Sequence, residues 1–241
     1  MLDKDFTISF NGDCISKEIW NYEIGYIRNS ELQYYTDSQE NSYIENDELV
    51  ICACKTNSDE FPYTSASLNT KGKFEILYGK LEMIAKLPYG TGIWPAFWTL
   101  GSTFSKNEHW PLCGEIDIME MIGGRGSLHN GGGDSEYFST VHCIEESSLL
   151  ISSVSKRIES AAFCDDYHKF GMLWDEDEIS FMLDDEVWKS INIKNVPAFH
   201  KPHFILINLA VGGDWPGSPD ETTVFPQKYR IKSITYTPLS E

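Results

Sequence analysis

No stretch of this chain keeps the hydrophobic period of a helix over a useful length. It runs instead as short apolar or alternating segments punctuated by Asn, Asp, Gly and Ser. Residues 6–10, 32–36 and 48–54 are the first of these, with turn signals such as Asn11-Gly12 and Asn46-Asp47 between them. Residues 63–68, 77–86 and 93–100 follow, then 114–121, 139–142, 169–174, 179–183, 204–211 and 229–237. Asp184-Asp185 reads as a hairpin turn. About a dozen short strands predict an all-β fold, an antiparallel sandwich. No repeat or linker breaks the pattern, so 1–241 is expected to be a single domain.

One of these strands carries chemistry. Gly114-Glu115-Ile116-Asp117-Ile118-Met119-Glu120-Met121 sets three carboxylates among side chains that favour burial. Alternation puts Glu115 and Asp117 on one face and, five positions on, turns Glu120 to the other. One β-bulge around Ile118-Met119 would return Glu120 to the face of the other two acids. Strand positions four steps apart lie ~13 Å apart at Cα. Two glutamates leaning together could then approach the separation of about 5–5.5 Å used by retaining glycosidases. Asp117 between them would hold a proton or hydrogen bond and push the two glutamate pKa values apart. The competing reading is a solvated acidic strand face.

The net charge of -18 and the pI near 4.6 bear on partners. Such a surface repels nucleic acid and anionic membranes and disfavours sulfated or uronic-acid polymers, leaving a neutral ligand as the natural partner. Plain solubility accounts for the same charge. No apolar run approaches the ~18 residues of a membrane-spanning helix. Met1-Leu2-Asp3-Lys4-Asp5 has no apolar signal core, as expected of a cytosolic protein or of one lacking its leader. Cys52 and Cys54 lie two apart on one strand, too extended to bridge comfortably. Cys14, Cys113, Cys143 and Cys164 have no metal-site spacing, and most of the cysteines read as small buried hydrophobes.

Trp94 and Trp98 are four apart and share a strand face, with Pro95 marking an irregularity. Flat indoles match the apolar faces of pyranose rings, although tryptophans of β-proteins also fill cores. Trp110, five residues before the acidic strand, is a third platform, and Trp215 sits exposed in the turn-rich loop Gly212–Gly217. Gly123-Gly124-Arg125-Gly126 and Asn130-Gly131-Gly132-Gly133-Asp134 form a glycine-rich loop long enough to be functional but without a phosphate-loop pattern. His142 on the following strand could face the carboxylates.

Glu115-Ile116-Asp117-Ile118-Met119-Glu120 resembles the signature of glycoside hydrolase family 16 in its bulged, laminarinase-like form. Trp20-Asn21-Tyr22-Glu23, Glu31-Leu32-Gln33-Tyr34-Tyr35-Thr36, Thr70-Lys71-Gly72-Lys73-Phe74, Trp94-Pro95-Ala96-Phe97-Trp98, residues 208–217 and Phe225-Pro226-Gln227 are similar to that family's blocks, in the same order. The resemblance implies a concanavalin A-like β-jelly-roll sandwich of two antiparallel sheets with a concave substrate cleft. It implies retaining endo-hydrolysis of internal β-1,3 linkages in laminarin-type or mixed-linkage β-glucans. Under it Glu115 is the nucleophile, Glu120 the acid/base and Asp117 the helper, while Asn29, Trp94, Trp98, Trp110, His142 and Trp215 bind substrate. A monomeric, extracellular enzyme with no cofactor is expected, acting on a neutral β-glucan. A glucan-remodelling transglycosylase and a non-catalytic β-glucan-binding protein are the alternatives on the same fold.

Three departures stand out. Thr64-Ser65-Ala66-Ser67 replaces the family's usual Thr-Ser-Ala-Arg, so a substrate-binding arginine is missing at 67. Ile8-Ser9-Phe10-Asn11-Gly12 lacks the usual N-terminal acids, and Lys232 stands near a usual Asp. Those acids commonly help hold a structural calcium, so no metal is expected here. Lys232 is expected to take the cation's place and pair with an acid.

Overall fold

A computed structural model of the chain describes residues 4–105, 108–124, 132–145 and 148–239. The strands begin with β1 (Phe6–Ser9), β2 (Asn21–Glu23), β3 (Gln33–Tyr35), β4 (Ser42–Glu45), β5 (Glu48–Lys55) and β6 (Tyr63–Ser65). Then come β7 (Ser67–Asn69), β8 (Glu75–Ile76), β9 (Gly79–Lys86), β10 (Ile93–Gly101), β11 (Glu115–Met121) and β12 (Glu136–Glu145). The last six are β13 (Ser148–Arg157), β14 (His168–Trp174), β15 (Glu178–Leu183), β16 (Glu186–Asn192), β17 (His203–Val211) and β18 (Gln227–Thr237). The one helical element among the described residues is a 3-10 turn at Pro197–His200, and no described helix is long and apolar enough to cross a membrane.

Two sheets stack face to face. The cleft sheet runs β13-β12-β11-β10-β17-β7-β2, with β8 also on β17. The outer sheet runs β16-β15-β14-β9-β18-β5-β6-β3, with β1 on β18 and β4 on β5. Pairing is antiparallel throughout except between β3 and β6. The main core fills the space between the sheets. β9 shows how: Leu81, Met83 and Ala85 point into it while Lys80, Glu82 and Lys86 alternate outward. β10 and β17, in the middle of the cleft sheet, are buried on both faces. One face of β10 supplies Ile93 and Phe97 to the main core; the other supplies Ala96, Trp98 and Leu100 to a smaller apolar cluster with Phe204 and Leu206 on the cleft floor.

The strand pattern departs from the expectation in three places. The run 63–68 is two strands, β6 and β7, which break at Ala66 and belong to opposite sheets. β13 and β16 escape an apolar reading because both are edge strands with mostly exposed residues. Asp184 and Asp185 do turn a hairpin, both with positive φ (51° and 70°), between β15 and β16.

None of the six cysteines forms a disulfide. Cys52, Cys113 and Cys143 are buried as small hydrophobes, but Cys14 is exposed and Cys54 and Cys164 are only half-buried. Cys52 and Cys54 share a face with their sulfurs 3.7 Å apart.

At the corner where β1 meets β18, Ser9 pairs in register with Ser233. Lys232 is the extra residue of a bulge against β9. Among the described residues its ammonium pairs with no acid: it lies 3.6 Å from the centroid of the Tyr167 ring, a cation–π contact. A hydroxyl, an amide at Asn11 and a lysine are a poor donor set for Ca²⁺, which needs six to eight oxygens with carboxylates among them. The residues present do not fit that ion.

Candidate active site

β11 is bulged as its acids require. Against β12, Asp117 faces Thr140 and Glu120 faces Phe138, three steps on one strand against two on the other. Against β10, Met119 faces Phe97 and Asp117 faces Trp98, so Ile118 is the extra residue. Ile118 and Met119 therefore both pack into the main core, flanked there by Ile116 and Met121, and Glu120 returns to the face of Glu115 and Asp117. The Ile118 carbonyl at the bulge accepts a hydrogen bond from the buried Ser139 hydroxyl at 2.7 Å.

The three acids line the floor of a cleft of about 1040 Å³. Burial raises all three carboxyl pKa values well above the ordinary range, because the charged form loses its water. Their surroundings differ. Glu115 is pushed further up by Asp117 and pulled back by neighbouring His142 and the Arg28 guanidinium. For Asp117, burial is the cause. Glu120 is also raised by Asp117, and it accepts a 3.0 Å hydrogen bond from the indole N–H of Trp94, which favours its ionised form. His142 Nε2 stands 3.1 Å from Asp117 Oδ2 and 3.7 Å from Glu115 Oε1, facing the carboxylates as its position on β12 suggested. Ligand atoms of Glu115, Asp117 and His142 lie within 4.8 Å of one another, so these three could hold a cation.

The predicted substrate-binding residues Asn29, Trp94, Trp98, Trp110, His142 and Trp215 all line this cleft. Their settings are not alike. Trp98, buried, donates from its indole N–H to Asn208 Oδ1 at 2.8 Å, and Asn208 in turn donates to the Tyr35 hydroxyl at 3.0 Å. Trp110 is 41% exposed and tilts against His142 at 5.9 Å. Trp215 is half-buried rather than exposed, wedged edge-on between Trp94 and Phe138 at 5.3 and 5.1 Å. Asn29 Nδ2 reaches Glu31 Oε1 at 3.4 Å.

Of the glycine-rich loop, Arg125-Gly126 and Asn130-Gly131 lie outside the described residues. Its described base is tied down by Asp134 Oδ1, which accepts from the N–H groups of Gly90 and Gly124 at 3.0 and 2.8 Å.

Sequence reasoning passed over Glu23, Arg28, Glu31, Phe138 and Asn208, all of which line the cleft. Glu23 and Glu31 lie inside blocks quoted for the resemblance, which was a usable signal. Arg28 sits in a short connection with no pattern, and nothing local marks it.

Comparison with known proteins gives one answer by three routes. The family profile described as Glycosyl hydrolases family 16 matches residues 29–232. Glucan endo-1,3-beta-glucosidase of Cryptopygus antarcticus is 35% identical over 237 residues, covering 88% of this chain and 82% of that protein. Glucan endo-1,3-beta-glucosidase A1 of Niallia circulans is 34% identical over 86% of this chain, which spans only 33% of that longer protein. Among solved structures, the laminarinase catalytic domain of Thermotoga maritima MSB8 superposes with a TM-score of 0.85 at 40% identity, covering 98% of both chains.

Proposed function

The chain belongs to glycosyl hydrolase family 16, and from that premise we propose that it cleaves internal β-1,3-glucosidic linkages of neutral β-glucans with retention at the anomeric carbon. One observation carries the reading: a bulge brings one buried and two half-buried carboxyl groups onto one face of β11, at the floor of a tryptophan-walled cleft. We take residues 1–241 as one catalytic domain that works as a monomer.

In this reading Glu115 attacks the anomeric carbon while Glu120 protonates the glycosidic oxygen, forming a glycosyl ester and releasing the aglycone. Glu120 then takes a proton from water, which attacks the ester and frees Glu115. The electrostatics favour this division. Arg28 lowers the cost of a charge on Glu115, as a nucleophile needs, whereas His142 acts on both glutamates. Burial and the neighbouring Asp117 favour the protonated form of Glu120, as an acid needs, against the pull of the Trp94 indole N–H. Burial favours the neutral form of Asp117, and a proton carried there would bridge toward either glutamate without adding a third negative charge. The indoles supply flat apolar faces for pyranose rings, and the acidic surface suits a neutral polymer.

Incubation with laminarin, with products resolved by size and by proton NMR of the first-formed anomer, tests this. Shorter products appearing first as the β-anomer are expected. Longer products would mean a transglycosylase, unchanged laminarin would mean a binding protein, and a first-formed α-anomer would overturn the role of Glu115.

A further inference from the structure

Arg28 is a cleft guanidinium whose binding capacity the proposed chemistry leaves unused. It stands on a rigid base. Glu31 N–H donates to the Arg28 carbonyl at 3.1 Å, while Asn29 and Ser30 between them take φ values of 57° and 54°. Two successive left-handed residues make a type I′ reversal. The turn is fastened to the loop Gly212–Gly217, where Asp214 N–H donates to the Asn29 carbonyl at 3.0 Å and Ser30 Oγ donates to Asp214 Oδ2 at 3.1 Å. Glycine at 213 permits this approach, since a Cβ there would stand 2.9 Å from the Asn29 carbonyl.

From that base the guanidinium reaches over the Trp98 ring, 5.2 Å from its centroid. One terminal nitrogen, Nη2, binds Glu23 Oε2, and the same oxygen accepts the Ser67 hydroxyl at 2.6 Å. The other, Nη1, is buried and has no hydrogen-bond partner among the described residues. A buried donor on a charged group is costly to leave unmatched, and this one belongs to a side chain that lines the cleft.

Resting on the glucan reading above, we infer that Arg28 is a substrate-binding residue whose guanidinium turns on its Glu23 contact to bring the buried Nη1 to a hydroxyl of the glucosyl unit lying against Trp98. Glu23 orients the fork, and Trp98 supplies the apolar face beside it. Ser67 belongs to the same device. It and Arg28 share one carboxylate oxygen, so a second guanidinium at 67 would compete for the place Arg28 holds. The arginine expected at 67 is thus replaced by one that enters from the loop rather than from β7.

Steady-state kinetics on laminari-oligosaccharides of increasing length, with melting temperatures alongside, test the assignment. Arg28→Ala is expected to raise KM at least tenfold on chains long enough to reach Trp98, while any fall in kcat through the charge on Glu115 should be alike at every chain length. Arg28→Lys keeps the charge but loses the planar fork, so it should recover only part of that loss. The double variant Arg28→Ala/Ser67→Arg, which returns a guanidinium to Glu23 from β7, should recover some affinity that Arg28→Ala lacks. A KM within twofold of wild type in both single variants overturns the inference. Should Arg28→Ala not fold, Arg28→Lys decides in the same way. If wild-type protein leaves laminarin intact, the glucan reading falls and takes this assignment with it; an active wild type with unmoved KM in the variants defeats this assignment alone.

Discussion

On the outer sheet, half-exposed Glu45 meets Arg230 and Lys228, and a hydrogen bond from Arg230 holds its carboxyl below the ordinary range. On the cleft sheet, Glu115, Asp117 and Glu120 share one side of a single strand, and loss of water holds all three well above it. The same functional group is pushed toward its ionised form on one face and toward its protonated form on the other. What differs is less the number of cations nearby than access to water. Solvent screens the outer pairs and leaves them weak, whereas in the cleft each added charge is felt strongly by its neighbours.

The contrast reverses the sign of the pH dependence. A carboxyl whose pKa is raised on folding binds its proton more tightly in the folded state. Its stabilising contribution is complete below the unfolded pKa, near 4, and is lost as pH rises through the folded value. Glu45 behaves oppositely: its contribution is present above the unfolded value and is lost on acidification through the lowered one.

The sharpest way to break the comparison is Glu115→Gln. Turnover of laminarin should fall by roughly three orders of magnitude or more, since an amide cannot form the glycosyl ester. The melting temperature at pH 8 should hold or rise, because a buried charge has been removed. A variant with near-normal turnover would remove Glu115 from the chemistry.

Next come the platforms. Trp98→Ala and Trp215→Ala should each weaken binding of longer oligosaccharides by about 1–3 kcal/mol if stacking on sugars resembles other aromatic platforms. Calorimetric titration in a Glu115→Gln background reads this without turnover. Equal affinities across an oligosaccharide series would return both indoles to a packing role.

Asp117→Asn should raise the melting temperature by a few degrees at pH 9, with the gain shrinking as pH falls toward 4. Thermal melts across that range measure it, and a gain that grows on acidification would show that Asp117 is stabilised as an ion. On the outer face, Arg230→Ala should cost about 1 kcal/mol or less and leave laminarin kinetics unchanged. The melting temperature should also be indifferent to EDTA, since Ser9 and Lys232 are unsuited to calcium. A melting point that falls on chelation would mean that other oxygens assemble the site.

The short alternating runs and the order of the blocks sufficed for the sandwich and the family, because the period of two and the turn residues are local properties. The spacing Glu115-x-Asp117-x-x-Glu120 demanded a bulge by parity alone, and it lies at Ile118. The positions of Trp94, Trp98 and Trp215 were legible for the same reason, as large aromatics in recognisable blocks, and Trp110 by its place five residues before the acidic strand. Tertiary structure decided everything that depends on a neighbour distant in the chain. It split residues 63–68 between the sheets at Ala66, and it supplied the edge strands β13 and β16, whose exposed faces carry little apolar signal. It set Trp94 against Glu120 and Lys232 against Tyr167 rather than an acid. It laid Arg28 over Trp98. A residue's type and spacing are written along the chain, but its solvent access and its partner are not. Those two quantities set the proton on each carboxyl and the direction of each guanidinium.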